Sequence, residues 1–112
     1  MDEKELQEKA FEIIEIAKRS GKIKKGSNEV TKVIEKGQAK LAVVAGDISP
    51  QEIVMHIGPL CKDKGIPFIK VNSKEELGTA AGLSVSTAAV AVIQEGDGKA
   101  QLESLAKLLK SE

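Results

Sequence analysis

The sequence predicts one α/β domain: a three-layer α/β/α sandwich around a central mixed sheet of about four strands. Three features predict it. Amphipathic helical segments alternate with short apolar runs along the whole chain. Two of those runs, Leu41-Ala42-Val43-Val44-Ala45 and Ala88 to Ile93, are continuously apolar, which suits strands covered on both faces. Helix-start and helix-stop signals fall between the runs at short spacing.

Residues 4 to 19 read as the first helix. Leu6, Ala10, Ile13, Ile14 and Ala17 fall on one stripe at spacings of three and four. Ser20-Gly21 ends it. The basic segment Lys22 to Gly26 follows as a brief edge strand. Residues 27 to 36 form the next helix, with Val30, Val33 and Ile34 inward and Gly37 where a C-terminal cap belongs. Leu41 to Ala45 is a buried strand. Ser49-Pro50-Gln51-Glu52 is a capping box with proline in the first turn. The helix it opens carries Ile53, Val54, Ile57, Leu60 and Cys61, and Gly58-Pro59 should kink or break it. Lys64-Gly65 closes it. Pro67 to Val71 is a strand, and Ser73-Lys74-Glu75-Glu76 is a second capping box for a short helix ending near Gly78 or Gly82. Ala88 to Ile93 is the last strand. Asp97 is expected to cap a final helix with Leu102, Leu105, Ala106 and Leu109 inward. No linker, repeat or low-complexity stretch interrupts residues 1–112.

Composition narrows the function classes. A chain of 112 residues supports one modest core without metal or disulfides. No apolar run approaches the roughly 20 residues of a membrane span, and the acidic start Met-Asp-Glu-Lys-Glu-Leu does not read as a secretory signal. The lone cysteine, Cys61, forms no internal disulfide and suits a reducing, cytoplasmic setting. Phe11 and Phe68 are the two aromatic residues, which disfavours an aromatic base-stacking platform. Net charge is zero, so bulk electrostatic coating of nucleic acid is disfavoured too. The charge is uneven, however. Residues 18–40 hold eight basic side chains against two acidic ones, a local charge of +6. Such a cluster serves as a solvated face or as a focused anion site.

An enzyme site is hard to assemble. His56 and Cys61, five apart in a helical region, fall on different faces, and each reads as a packing residue. One Cys and one His make no zinc site. Gly78 to Gly82 lacks the Lys-Ser/Thr ending of a phosphate loop. No nucleophile–base constellation is found, so no enzyme, cofactor or metal is expected.

The most informative stretch is Gly26-Ser27-Asn28-Glu29-Val30-Thr31-Lys32. Asn28 and Lys32 are four apart and share a helix face, with Glu29 about 100° round in the same turn. An amide, a carboxylate and an ammonium together match a purine edge. Free amides at the helix start, with Lys22, Lys24 and Lys25, can hold phosphates. The plainer use of the same residues is that Ser27 caps and Glu29 complements the helix dipole. A second segment, Leu83-Ser84-Val85-Ser86, either exposes Leu83 and Val85 as an apolar lid or packs both inward.

At these residues the sequence resembles the archaeal ribosomal protein L-seven-Ae family of kink-turn RNA-binding proteins. Its eukaryotic relatives are core proteins of box C/D and box H/ACA particles. Beyond residues 26–32, the matching blocks are Asp47…Pro50…Glu52-Ile53, Leu60-Cys61…Lys64…Ile66-Pro67, Ser73-Lys74…Leu77-Gly78…Ala80…Gly82 and Glu95-Gly96. The resemblance implies that Asn28, Glu29 and Lys32 read guanine edges in the major groove of a sharply bent RNA. Ordinary A-form RNA hides that groove, and the bend opens it. It implies further that Lys74, with Ile53, Leu83 and Val85 of the Leu83-Ser84-Val85 loop, surrounds an extruded bulge base. Lys24 and Lys25, leading into Gly26 and Ser27, would support phosphates. Partners implied are ribosomal RNA, box C/D and H/ACA guide RNAs, RNase P RNA and guide-particle scaffold proteins, with the free protein a monomer. Two departures stand out. Ser49 occupies a position where relatives usually carry an acid, and the Gly58-Pro59 order differs from the common proline position. The loop at 83–85 is closer to archaeal members, implying tolerance of kink-turns and kink-loops. The alternatives are a ribosomal protein of the same fold for a different RNA, and a protein-interaction or small-ligand module.

Overall fold

The computed structural model describes residues 3–48 and 55–110. In chain order they form α1 (Glu3–Ser20), β1 (Lys22–Lys25), α2 (Ser27–Glu35), β2 (Leu41–Ala45), α3 (Ile57–Lys64), β3 (Phe68–Val71), α4 (Lys74–Ala80), β4 (Ala89–Gln94), a 3-10 turn (Gly96–Gly98) and α5 (Lys99–Lys110). The four strands make one mixed sheet in the order β1-β4-β2-β3. The β2–β3 pair is parallel, and β4 is antiparallel to both β1 and β2. The last strand is therefore inserted between the first and the second.

Strand alternation sorts the core into two clusters. Leu41, Val43 and Ala45 of β2 and Val90 and Val92 of β4 face α1, α4 and α5. Ile13 and Ile14 of α1 are fully buried there, each contributing about 1.5–3 kcal/mol of apolar burial. On the opposite face Ala42, Val44, Ala89 and Ala91 meet Val30, Val33 and Ile34 of α2 and Ile57 and Cys61 of α3. Three of those four strand residues are alanines, so α2 can approach the sheet closely. Helices on both faces complete the predicted three layers.

One expectation is borne out and two change. Gly58-Pro59 does interrupt the helix: Met55 is helical, His56 is in a turn, and Gly58-Pro59 lies in the first turn of α3, which starts anew at Ile57. Proline has no N–H for the carbonyl four residues back, so the interruption falls ahead of it. Asp97 does not act as a side-chain cap. It lies within the 3-10 turn, and its backbone N–H donates to Ser20 Oγ at 2.9 Å. That bond fastens the end of α1 to the approach of α5. His56 is not a packing residue but is exposed at the start of α3. Cys61 does pack: it is fully buried, and desolvation pushes its thiol up to about 11. A thiol so protonated is a poor nucleophile at neutral pH. The capping box at residues 49–52 lies outside the described residues.

Candidate nucleic-acid interface

Strand direction gathers the candidate residues at one end of the sheet. β1, β2 and β3 all run towards this end, and β4 starts from it. Three backbone hydrogen bonds tie the end together. Gly26 N–H donates to the Ala89 carbonyl at 2.9 Å, Ala45 N–H to Ala88 at 2.9 Å, and Gly46 N–H to Val71 at 2.7 Å. Lys24 and Lys25 close β1 here, α2 and α4 begin here, and the loop before β4 arrives here. Lys24 is half-buried and Lys25 is exposed.

The start of α2 departs from the plain structural use. Gly26, not Ser27, is the cap residue, at φ 93° and ψ 145°, and no side chain caps the helix. An added Cβ at Gly26 would meet nothing within 4 Å. The demand for glycine is thus conformational, since a left-handed φ is costly for other residues. The first-turn amides therefore have no side-chain acceptor and remain open to an anion or a base edge. Ser27 is the first helical residue. Its carbonyl accepts the Thr31 hydroxyl at 2.7 Å, and Thr31 Oγ1 also lies 2.7 Å from His56 Nε2.

Asn28, Glu29 and Lys32 project from this start and are exposed. Lys32 Nζ lies 3.8 Å from Glu29 Oε1, both side chains more than half accessible. A pair so exposed adds little to stability, about 0–1 kcal/mol. It holds a donor and an acceptor on one face. Among the described residues the Asn28 side chain has no hydrogen-bond partner.

The start of α4 forms the opposite side of the site. Ser73 caps it, its hydroxyl accepting the Glu76 N–H at 3.2 Å. Asp47, from the end of β2, accepts the Lys74 N–H at 2.9 Å. The loop before β4 is tied to the same residue, Thr87 N–H donating to the Lys74 carbonyl at 3.2 Å. Leu83 and Val85 part company. Val85 is 67% exposed, whereas Leu83 packs partly buried against the α1-side core. Neither alternative, both outward or both inward, holds whole: one apolar side chain points outward, with Ser84 exposed between them. Residues 83–86, Glu75 and Thr79 border an open depression of about 510 Å³. Ile53 lies outside the described residues. Another groove, of about 770 Å³ and mostly apolar, runs between α3 and α5 beside β3 and contains none of the predicted site residues.

Thr31, His56 and Asp47 carry positioning bonds that sequence reasoning did not assign. Thr31 and Asp47 stood within quoted motifs, but their partners lie 25 and 27 residues away. No local pattern points to such pairings.

Residues 8–102 match the model of the Ribosomal protein L7Ae/L30e/S12e/Gadd45 family. The chain belongs to this family. Among solved structures it is similar to a Giardia lamblia 15.5kD RNA binding protein. The TM-score is 0.88 at 28% identity, over 96% of this chain and 89% of that one. The shared fold has the four-stranded mixed sheet and flanking helices described above. Membership in the L7Ae/L30e/S12e/Gadd45 family thus agrees with the resemblance carried by residues 26–32 and the later blocks.

Proposed function

We propose that this protein is a non-enzymatic RNA-binding scaffold that recognises and stabilises kink-turn and kink-loop RNA. The observation that carries the reading is the uncapped start of α2. Asn28, Glu29 and Lys32 are exposed together there, on the sheet end that also holds Lys24, Lys25, Lys74 and Val85. The family match and the RNA-binding neighbour support RNA as the partner. In this reading the amide, carboxylate and ammonium pair with guanine edges, and the open amides of α2 and Lys24 and Lys25 take phosphates. Lys74 and Val85 stand beside an unstacked base. Binding favours the bent RNA because only the bent state presents those edges, so the protein shifts the RNA towards it.

The partners proposed are ribosomal RNA of the large subunit, box C/D and H/ACA guide RNAs and RNase P RNA. Zero net charge fits recognition by shape and a few base contacts rather than by bulk attraction. Isothermal titration tests the reading. A kink-turn RNA should bind with a large preference over the same strands carrying broken G·A pairs. Equal affinity for the two would leave a family fold bound to some other RNA.

A further inference from the structure

The loop before β4 lies back along α4. Gly82, at φ +78°, turns the chain, and Leu83 N–H donates to the Gly78 carbonyl at 2.9 Å. Thr87 N–H donates to the Lys74 carbonyl at 3.2 Å. Lys74 and Gly78 are one helical turn apart on one face. The loop therefore runs antiparallel to the helix, fastened at both ends of that turn.

Between the two bonds the backbones nearly touch. A Cβ built on Gly78 would stand 2.2 Å from the Val85 carbonyl oxygen and 3.1 Å from Ser86 Cα. Both are backbone atoms, so no change of side-chain rotamer could relieve the clash. Gly78 is buried within α4 and does not have a positive φ. Glycine is a poor helix former, and alanine would serve α4 better if the loop were absent. Its use here is close approach.

We infer that Gly78 is a positioning residue for RNA specificity: its bare α-carbon seats the 83–87 loop so that Val85 stands outward over the depression bordered by Glu75 and Thr79, while Leu83 packs partly buried against the core. This rests on the kink-turn reading above. Raising the loop by one methyl group would displace Val85 from the bulge base without touching the guanine-reading face of α2.

The test titrates wild type, Gly78→Ala, Val85→Ala and the double variant with two RNAs. One is a kink-turn with its bulge nucleotide intact, and the other is the same RNA with that nucleotide abasic. Each single variant should bind the intact RNA about five- to tenfold more weakly, the loss expected when one buried aliphatic contact goes. The double variant should be no weaker than either single one. All four proteins should bind the abasic RNA alike. A folded Gly78→Ala protein that loses affinity equally for both RNAs, or for neither, overturns the inference. Should Gly78→Ala prove too unstable to titrate, amide exchange on the wild type decides. Protection of the Leu83 and Thr87 amides, deepened by the intact RNA but not by the abasic one, supports it, and exchange at free-loop rates overturns it. A wild type with no preference for kinked RNA would instead sink the parent reading.

Discussion

Thr31 Oγ1 lies 2.7 Å from the Ser27 carbonyl oxygen and 2.7 Å from His56 Nε2, which couples the first turn of α2 to the start of α3. A hydroxyl has one proton to give. If Thr31 donates it to Ser27, His56 must donate through Nε2, so the ring carries its proton there. The pair ties the first turn of α2 to the start of α3 on the flank beside the exposed triplet. Thr31→Val keeps shape and removes both bonds. It should cost about 1–2 kcal/mol in urea unfolding, and should also weaken RNA binding. An unchanged unfolding midpoint would remove the tie.

Asn28→Ala removes an exposed side chain with no protein partner among the described residues. Stability should stay within about 0.5 kcal/mol of wild type. Affinity for kink-turn RNA should drop by roughly 1–3 kcal/mol. Glu29→Ala should behave alike. Gel-shift titration beside a thermal melt separates the two effects, and undiminished affinity would count heavily against the base-reading role.

Lys24 and Lys25 are proposed to meet phosphates. Lys24→Ala should weaken binding modestly for every RNA tested and reduce the slope of log K against log salt by roughly 1. A slope identical to wild type would show that this lysine stays away from the backbone.

Cys61 gives stability a pH dependence. Burial pushes its thiol from the ordinary value of 9.0 up to about 11. Below 9.0 both folded and unfolded chains hold the proton, so nothing changes. Between 9.0 and about 11 the unfolded chain loses its proton first, and the native state loses stability as pH rises. Denaturant midpoints should fall across that window, and Cys61→Ala should flatten this component while costing some stability overall. The thiol should also resist modification at neutral pH until the chain unfolds.

Local sequence carried the elements and one side of the site. Apolar periodicity placed α1, α2 and α5, continuous apolar runs placed β2 and β4, and Ser73 announced the start of α4, because each signal lies within a few residues of its effect. The block from Gly26 to Lys32 pointed to the exposed triplet for the same reason. It did not reveal that Gly26, rather than Ser27, is the cap residue, since glycine acts there through its backbone angle.

Tertiary structure decided what lies together. Only the strand order β1-β4-β2-β3 brings the ends of β1, β2 and β3, the starts of α2 and α4 and the 83–87 loop to one edge. Contacts such as Thr31 with His56 and Asp47 with the Lys74 amide span too many residues for any periodicity to encode. Leu83 and Val85 look alike in the sequence. Their different fates follow from the backbone resting on Gly78, a packing relation that exists only once the chain has folded.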